Sequence, residues 1–125
     1  MTQEDKELLF KDLCARLPYG VKIQIKDWTT FETELKVGHI QQLQNEDIDP
    51  KPYLRPMSSM TEEEERELRI LWNEDLIGER SPFYIYPCYS KTMDFYNSHH
   101  FDYRGLIEKG LAIEALEGMY DLKEK

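Results

Sequence analysis

The chain has 125 residues, with 40% apolar and 12% aromatic side chains and a formal net charge of -9. This length and apolar content favour a single globular domain over residues 1–125, which needs no disulfide or metal to fold. The acidic balance argues against binding to nucleic acid or to an anionic membrane, because both need clustered Lys and Arg. The N-terminus lacks the basic and apolar segments of a signal peptide, so we expect a cytoplasmic protein.

Residues 1–57 have the pattern of a helix followed by a sheet. Thr2 and Asp5 have the spacing of a helix-capping box, and Pro18 and Gly20 would end the helix. Between them, apolar residues recur at helical steps. This stripe consists of Leu9, Phe10, Leu13, Cys14 and Leu17. A thiol on such a stripe is expected to be buried and inert.

The next segments predict a small antiparallel sheet. Residues 21–25 and 31–37 alternate between apolar and polar side chains, which is typical of two half-buried strands joined as a hairpin. Residues 40–43 predict a third strand. The three prolines of segment 50–56 exclude a helix and favour an extended edge strand or a connector.

A second amphipathic helix is predicted over residues 61–77. Thr61 and Glu64 have capping-box spacing, and Gly78 is a natural stop. Residues 61–80 contain eight acidic and three basic side chains, so this segment carries -5 of the net charge of -9.

The first turn of this helix contains four consecutive carboxylates. Acidic residues there complement the helix dipole, which is the ordinary reason for such a run. The alternative is an anionic surface at the helix start, residues 62–65, that mimics nucleic acid or binds a basic protein partner, with Glu62 and Glu63 as candidate contact residues.

Residues 82–116 predict an aromatic strand followed by short helices. On a strand over 83–86, Tyr84 and Tyr86 point to one face and Phe83 and Ile85 to the other. If Phe83 and Ile85 are in the core, the two tyrosines form an exposed face suited to a protein interface. The alternative is that these rings cover a second small core.

The C-terminal third is predicted to contain two further short helices. The first spans residues 91–97, and the second begins at Asp102 and ends at Gly110 in a left-handed conformation. Residues 111–113 favour an extended segment, with a helix continued to Ala115 as the alternative. The tail from Glu117 is expected to be frayed.

Three stretches of the chain support a resemblance to a known family. They are Lys11-Asp-Leu-Cys-Ala-Arg-Leu-Pro-Tyr-Gly-Val-Lys22, Lys51-Pro-Tyr-Leu-Arg-Pro-Met-Ser-Ser-Met-Thr61 and His99-His-Phe-Asp-Tyr-Arg-Gly-Leu-Ile-Glu-Lys-Gly-Leu-Ala-Ile-Glu-Ala115. On these stretches the chain resembles a family of short uncharacterised proteins of Bacteroides-type gut bacteria and their prophages. Residues 29–49 match no pattern of that family. The resemblance implies an origin in a bacterial mobile element, and it implies no activity and no site residue.

The densest set of reactive side chains lies in the segment His99–Arg104. Adjacent histidines such as His99 and His100 point in different directions on a strand or a helix, and no Cys or His pair has zinc-site spacing. We therefore predict no metal and no cofactor, and we assign Asp102 to helix capping. Nucleophile-elbow, phosphate-loop and dinucleotide-binding motifs are also absent from the sequence.

These patterns predict an α+β fold with a small antiparallel sheet, arranged like a barrel and flanked by amphipathic helices. The function that they favour is a small cytoplasmic protein-binding module, with Tyr84 and Tyr86 or the helix start as the contact surface. The alternative is a small enzyme or metal-dependent hydrolase that uses His99, His100 and Asp102. A homodimer is a third option.

Overall fold

The computed structural model describes residues 2–26, 30–45, 48–79 and 90–120. These residues form an α+β fold, as the sequence predicts. Its helices are α1 (Gln3–Arg16), α2 (Val37–Gln44), α3 (Glu62–Glu79) and α4 (Ser90–Ser98), and its strands are β1 (Lys22–Lys26), β2 (Thr30–Glu34), β3 (Lys51–Leu54) and β4 (Ile113–Glu114). Among the described helices, none combines the length and the apolar character needed to cross a bilayer.

The sheet is open and mixed, so the predicted barrel-like, all-antiparallel arrangement is wrong. Its strand order is β2-β1-β3-β4. β1 pairs antiparallel with both β2 and β3, whereas β3 and β4 are parallel. A parallel pair needs a long crossover between its strands, and the chain supplies one through α3 and α4. The alternation over β1 is confirmed, because Ile23 and Ile25 are buried and face the core.

β3 lies inside the sheet although it contains Pro52, so the prediction of an edge strand or connector is wrong. The strand begins beside β1, where Pro52 is opposite Ile23. It ends beside β4, where Tyr53 is opposite Ile113. Because the two pairings are staggered along β3, the proline needs a partner on one side only, and its missing N–H costs little.

α1 begins at the predicted capping box, and its buried face keeps Leu9 and Leu13 of the predicted stripe but adds two charged residues and leaves out Cys14. Thr2 Oγ1 accepts a hydrogen bond from the Asp5 amide at 3.0 Å. The buried positions are Leu9, Asp12, Leu13 and Arg16. Cys14 is exposed, which corrects the prediction of a buried thiol. An apolar stripe could not reveal this face, because two of its four members are charged.

α2 replaces the third strand predicted over 40–43. Ile40 and Leu43 are both buried. Residues three apart lie on one face of a helix but on opposite faces of a strand, so this spacing fits the helix. The helix also shortens the preceding strand, which ends at Glu34 rather than at Val37. His39 Nδ1 accepts a hydrogen bond from the Lys36 amide at 2.9 Å and caps the start of α2.

α3 begins at the second capping box, as predicted, and continues one residue past Gly78. Glu64 accepts from the Thr61 amide at 2.9 Å, and Thr61 Oγ1 accepts from the Glu64 amide at 3.1 Å. The same carboxylate forms a two-pronged ion pair with Arg55, at 2.8 and 2.9 Å. This pair ties the start of α3 to the residue that follows β3.

The C-terminal third confirms one predicted helix and corrects the other. α4 forms as predicted, but the segment after Asp102 is a series of turns. The Asp102 carboxylate accepts from the amides of Leu106 and Ile107 at 2.8 and 3.0 Å. Gly110 is left-handed, at φ 76°, and closes this turn. The Asp102 cap and the left-handed Gly110 lie at the two ends of this run of turns, which is followed by the extended strand β4.

The ion pair between Glu64 and Arg55 should make a measurable contribution to stability. Burial opposes ionisation of Glu64, but hydrogen bonds from Arg55 and Thr61 and the charge of Arg55 outweigh burial and lower its pKa to about 2. We predict that Glu64→Gln lowers the free energy of unfolding at pH 7 by about 3 kcal/mol, because it leaves Arg55 buried without its carboxylate. Chemical denaturation measures this loss, and the exposed Glu63→Gln is the matched control.

The effect should also depend on pH. The pKa of Glu64 is lower in the folded state than its usual value of 4.5, so the stabilisation is present above pH 4.5 and disappears as the pH falls towards 2. The difference between wild type and Glu64→Gln should therefore shrink over this range. A difference that stays constant down to pH 2 would contradict the assignment.

Candidate functional site

The predicted histidine cluster forms the cap that ends α4. The amide of Phe101 donates to the Tyr96 carbonyl at 2.9 Å, and the amide of His100 donates to the Asn97 carbonyl at 3.2 Å. This pair of hydrogen bonds is a Schellman motif, in which the left-handed residue is usually glycine. Here His100 takes that position, at φ 63°. The cluster is therefore a helix end in which a histidine adopts a strained backbone conformation.

His99 and Asp102 are both engaged in local structure. The His99 ring stacks on Phe95 with the ring centres 4.2 Å apart, and its Nδ1 lies 2.9 Å from the Phe95 carbonyl oxygen. Both Asp102 oxygens accept backbone amides of the following turn. The described residues contain no group of three or more side chains placed to hold a metal ion. The arrangement therefore gives no support to a hydrolase built on these residues.

His100 is buried and stacks on Tyr120, with the ring centres 3.8 Å apart. Its pKa is lowered to about 4 by burial and, next in size, by nearby positive charges. The cations among them are Arg16, Arg55 and Lys22. The ring is therefore neutral at physiological pH and enclosed.

A buried ionic cluster that sequence reasoning missed lies beside this histidine. Arg16 and Asp12 have fully buried side chains, and Arg16 Nε donates to Asp12 at 2.8 Å. Arg16 Nη2 donates to the Phe101 carbonyl at 2.6 Å. Arg104 shares the same carboxylate at 3.1 Å and lies over the ring of Tyr103. The signal available in the sequence was the i,i+4 spacing of Asp12 and Arg16 on α1.

Tyr120 anchors the C-terminal segment to the sheet. Its hydroxyl donates to the Tyr53 carbonyl at 2.7 Å and accepts from the Lys22 amide at 3.0 Å. Burial raises the pKa of Tyr120 to about 12, so the hydroxyl stays protonated. The prediction of a frayed tail from Glu117 is therefore wrong as far as Tyr120.

The cavities found among the described residues lie away from the 99–104 segment. One of ≈ 250 Å³ lies between α1 and α2. Another of ≈ 260 Å³ is lined by Lys51, Lys109 and neighbouring residues. A third, of ≈ 370 Å³, lies against the start of α2 beside Lys36 and His39, and its volume falls within the roughly 300–1,000 Å³ typical of ligand sites. None of the three is lined by residues of the 99–104 segment, so none supports an active site there.

The outward face of α3 is the surface that combines charge with exposed apolar area. The helix turns only Glu64, Leu68, Leu71 and Asp75 towards the rest of the fold over residues 62–75. Ile70 is 59% exposed. At about 100° per residue, Glu63, Glu67 and Glu74 fall within roughly 60° of Ile70 around the helix. The exposed Arg66 and Asn73 fall within the same sector. We call Glu63, Glu67, Ile70 and Glu74 the α3 stripe.

The predicted site residues differ in how they relate to this stripe. Glu63 belongs to it, whereas Glu62 is exposed one helical step away. Glu74 is partly neutralised by Lys91, whose Nζ lies 2.6 Å from the carboxylate. Tyr84, Tyr86 and Cys88 lie outside the described residues, so the aromatic surface stays a prediction.

Comparison with protein-family models, with curated proteins and with solved structures finds no match to this chain. The proposals below therefore rest on its own residues.

The anchoring role of Tyr120 leads to a direct test. We predict that Tyr120→Phe lowers the free energy of unfolding by about 1–3 kcal/mol, because the Tyr53 carbonyl and the Lys22 amide lose their partner. Chemical denaturation measures the change. Tyr19→Phe is the control, since that hydroxyl forms an exposed hydrogen bond to Asp94. Equal stability of both variants would show that the tail is not anchored in this way.

Proposed function

We propose that this chain is a small cytoplasmic protein-binding module, and that the α3 stripe contacts a partner with basic and apolar side chains. The observation that carries the proposal is the exposure of Ile70 on a face with three carboxylates and one cation, Arg66, on a helix whose other side is held by the fold. The residues of this stripe need no rearrangement to meet a partner, because the helix is fixed by the Thr61 cap and by the Arg55 ion pair.

Each component of the stripe would make a different contribution to binding. Covering an isoleucine side chain contributes roughly 1.5–3 kcal/mol when it becomes fully buried. The surrounding carboxylates would attract a basic partner and select against acidic ones, which affects association rate and specificity more than affinity. The net charge of -9 extends this attraction over the surface.

A binding role is favoured over the enzyme alternative because the side chains of the 99–102 segment form structural contacts. His99 stacks on Phe95, His100 stacks on Tyr120 and Asp102 holds a turn, so each of the three already has a structural role. Self-association through the α3 stripe is disfavoured by charge, since two copies would bring the same carboxylates together. Light scattering at several protein concentrations measures whether another surface forms a homodimer.

The proposal predicts that binding depends on Ile70 and Glu67. Affinity capture from a lysate of a Bacteroides-type bacterium supplies the partner, and titration with the purified partner gives the Kd. We expect Ile70→Ser and Glu67→Lys each to raise the Kd about tenfold or more, through lost apolar burial and reversed charge. The binding of wild type should also weaken as salt is raised, because exposed charges are screened.

Two matched controls separate this surface from a general effect. Leu116→Ser removes an apolar side chain of nearly equal exposure, 61%, and Glu117→Lys reverses an exposed charge away from α3. Both should leave the Kd unchanged. A partner that binds the α3 variants as tightly as wild type would overturn the proposed surface. Loss of binding in a folded Tyr84→Ala, Tyr86→Ala variant alone would move it to the aromatic segment.

A further inference from the structure

Two buried polar atoms in the interior have no hydrogen-bond partner among the described residues. They are Nη1 of Arg16 and Nδ1 of His100. Buried polar groups are almost always paired, and an unpaired one usually indicates a bound water or ion. A guanidinium group can only donate hydrogen bonds, so the missing partner of Arg16 must be an acceptor.

The two atoms belong to the same small region. Arg16 Nη2 donates to the carbonyl of Phe101, the residue next to His100. Among charged groups, Arg16 has the largest effect on His100, and it also acts on Tyr120, whose ring stacks on the imidazole. The guanidinium of α1, the cap of α4 and the C-terminal segment therefore meet around one point.

The charges that face this point are predominantly positive. Arg16, Lys22 and Arg55 approach His100 from α1, from β1 and from the residue after β3. Glu64 offsets Arg55, and Glu32 is the negative charge that acts on the stacked Tyr120. Asp12 is shared between Arg16 and Arg104 and so neutralises only one of these two cations. Burying an excess cation without a counter-charge is unfavourable.

The backbone of His100 has a left-handed conformation that favours glycine, so the histidine side chain must be needed for another reason. A glycine at the left-handed position of the Schellman motif would avoid the strain that His100 bears at φ 63°. Strained conformations persist where the surrounding structure requires that residue, and they are concentrated at ligand sites. The strained backbone therefore indicates that the imidazole itself is required at this position.

We propose that Arg16 Nη1 and His100 Nδ1 donate hydrogen bonds to one enclosed monovalent anion of the size of chloride. The anion supplies the acceptor that Arg16 needs and the negative charge that balances the cluster. Since both donor atoms are buried, the site is closed and suits a single-atom anion rather than a metabolite. The bound anion links α1, the end of α4 and the Tyr120 segment.

The test is an NMR titration of His100 in sodium chloride and in sodium gluconate at equal ionic strength. A bound anion favours the protonated imidazole. We therefore expect the pKa of His100 to rise in chloride by about one unit, which corresponds to tenfold tighter binding of chloride to the protonated form. His99 is the internal control. The midpoint of thermal unfolding at pH 7 should also be higher in chloride.

A variant separates this site from general salt effects. His100→Gly suits the left-handed backbone and removes the Nδ1 donor, so it should fold and lose the difference between the two salts. His99→Gln should keep that difference. If His100→Gly does not fold, broadening of the chloride-35 NMR signal by the wild-type protein, reversed by bromide, replaces it as the readout. Identical behaviour of wild type in both salts, or an unchanged chloride response in His100→Gly, would overturn the proposal and leave an enclosed water as the partner of both atoms.

Discussion

The buried guanidinium of Arg16 joins parts of the chain that are far apart in sequence. It binds Asp12 one turn earlier on α1 and the carbonyl of Phe101, 85 residues later. A buried cation is tolerated only where its partners are held in place. The position of the 101–104 segment is therefore tied to α1, and Arg104 completes the cluster by sharing Asp12. The His100 cap and the Tyr120 anchor are built around this point.

Buried arginines also determine which side chains of the 99–104 segment are used for packing. Arg55 repeats the arrangement on a smaller scale, since it binds Glu64 and lies 4.2 Å above the Phe101 ring. These contacts occupy the reactive side chains of the 99–104 segment. The outward side of α3 is left accessible, and there Glu63, Glu67 and Glu74 lie around Ile70. The proposed contact surface is therefore separate from the buried contacts that hold the fold together.

Sequence patterns over a few residues predicted most of the helices and strands. The features that were missed depend on contacts with residues far away in the sequence. The caps at Thr2 and Thr61 depend on residues three positions away, so their spacing was sufficient. The burial of Arg16 depends on Phe101, and no periodicity on α1 indicates that a charged pair, rather than Cys14, faces the core. The open sheet was missed because β4 has only two residues and its partner β3 is distant in the sequence. Glu63 was predicted as a contact residue from the charge of its segment, whereas Ile70 could be identified only from its exposure in the structure.

The central claim is that Arg16 holds the C-terminal third against α1, and the free energy of unfolding of Arg16→Met tests it most directly. Methionine keeps most of the apolar volume but leaves the Phe101 carbonyl without its donor and Asp12 with Arg104 alone. The predicted result is a loss on the order of 3 kcal/mol, together with faster amide exchange at Leu106 and Ile107. The exposed Arg66→Met is the control. Unchanged stability and exchange in Arg16→Met would contradict the claim.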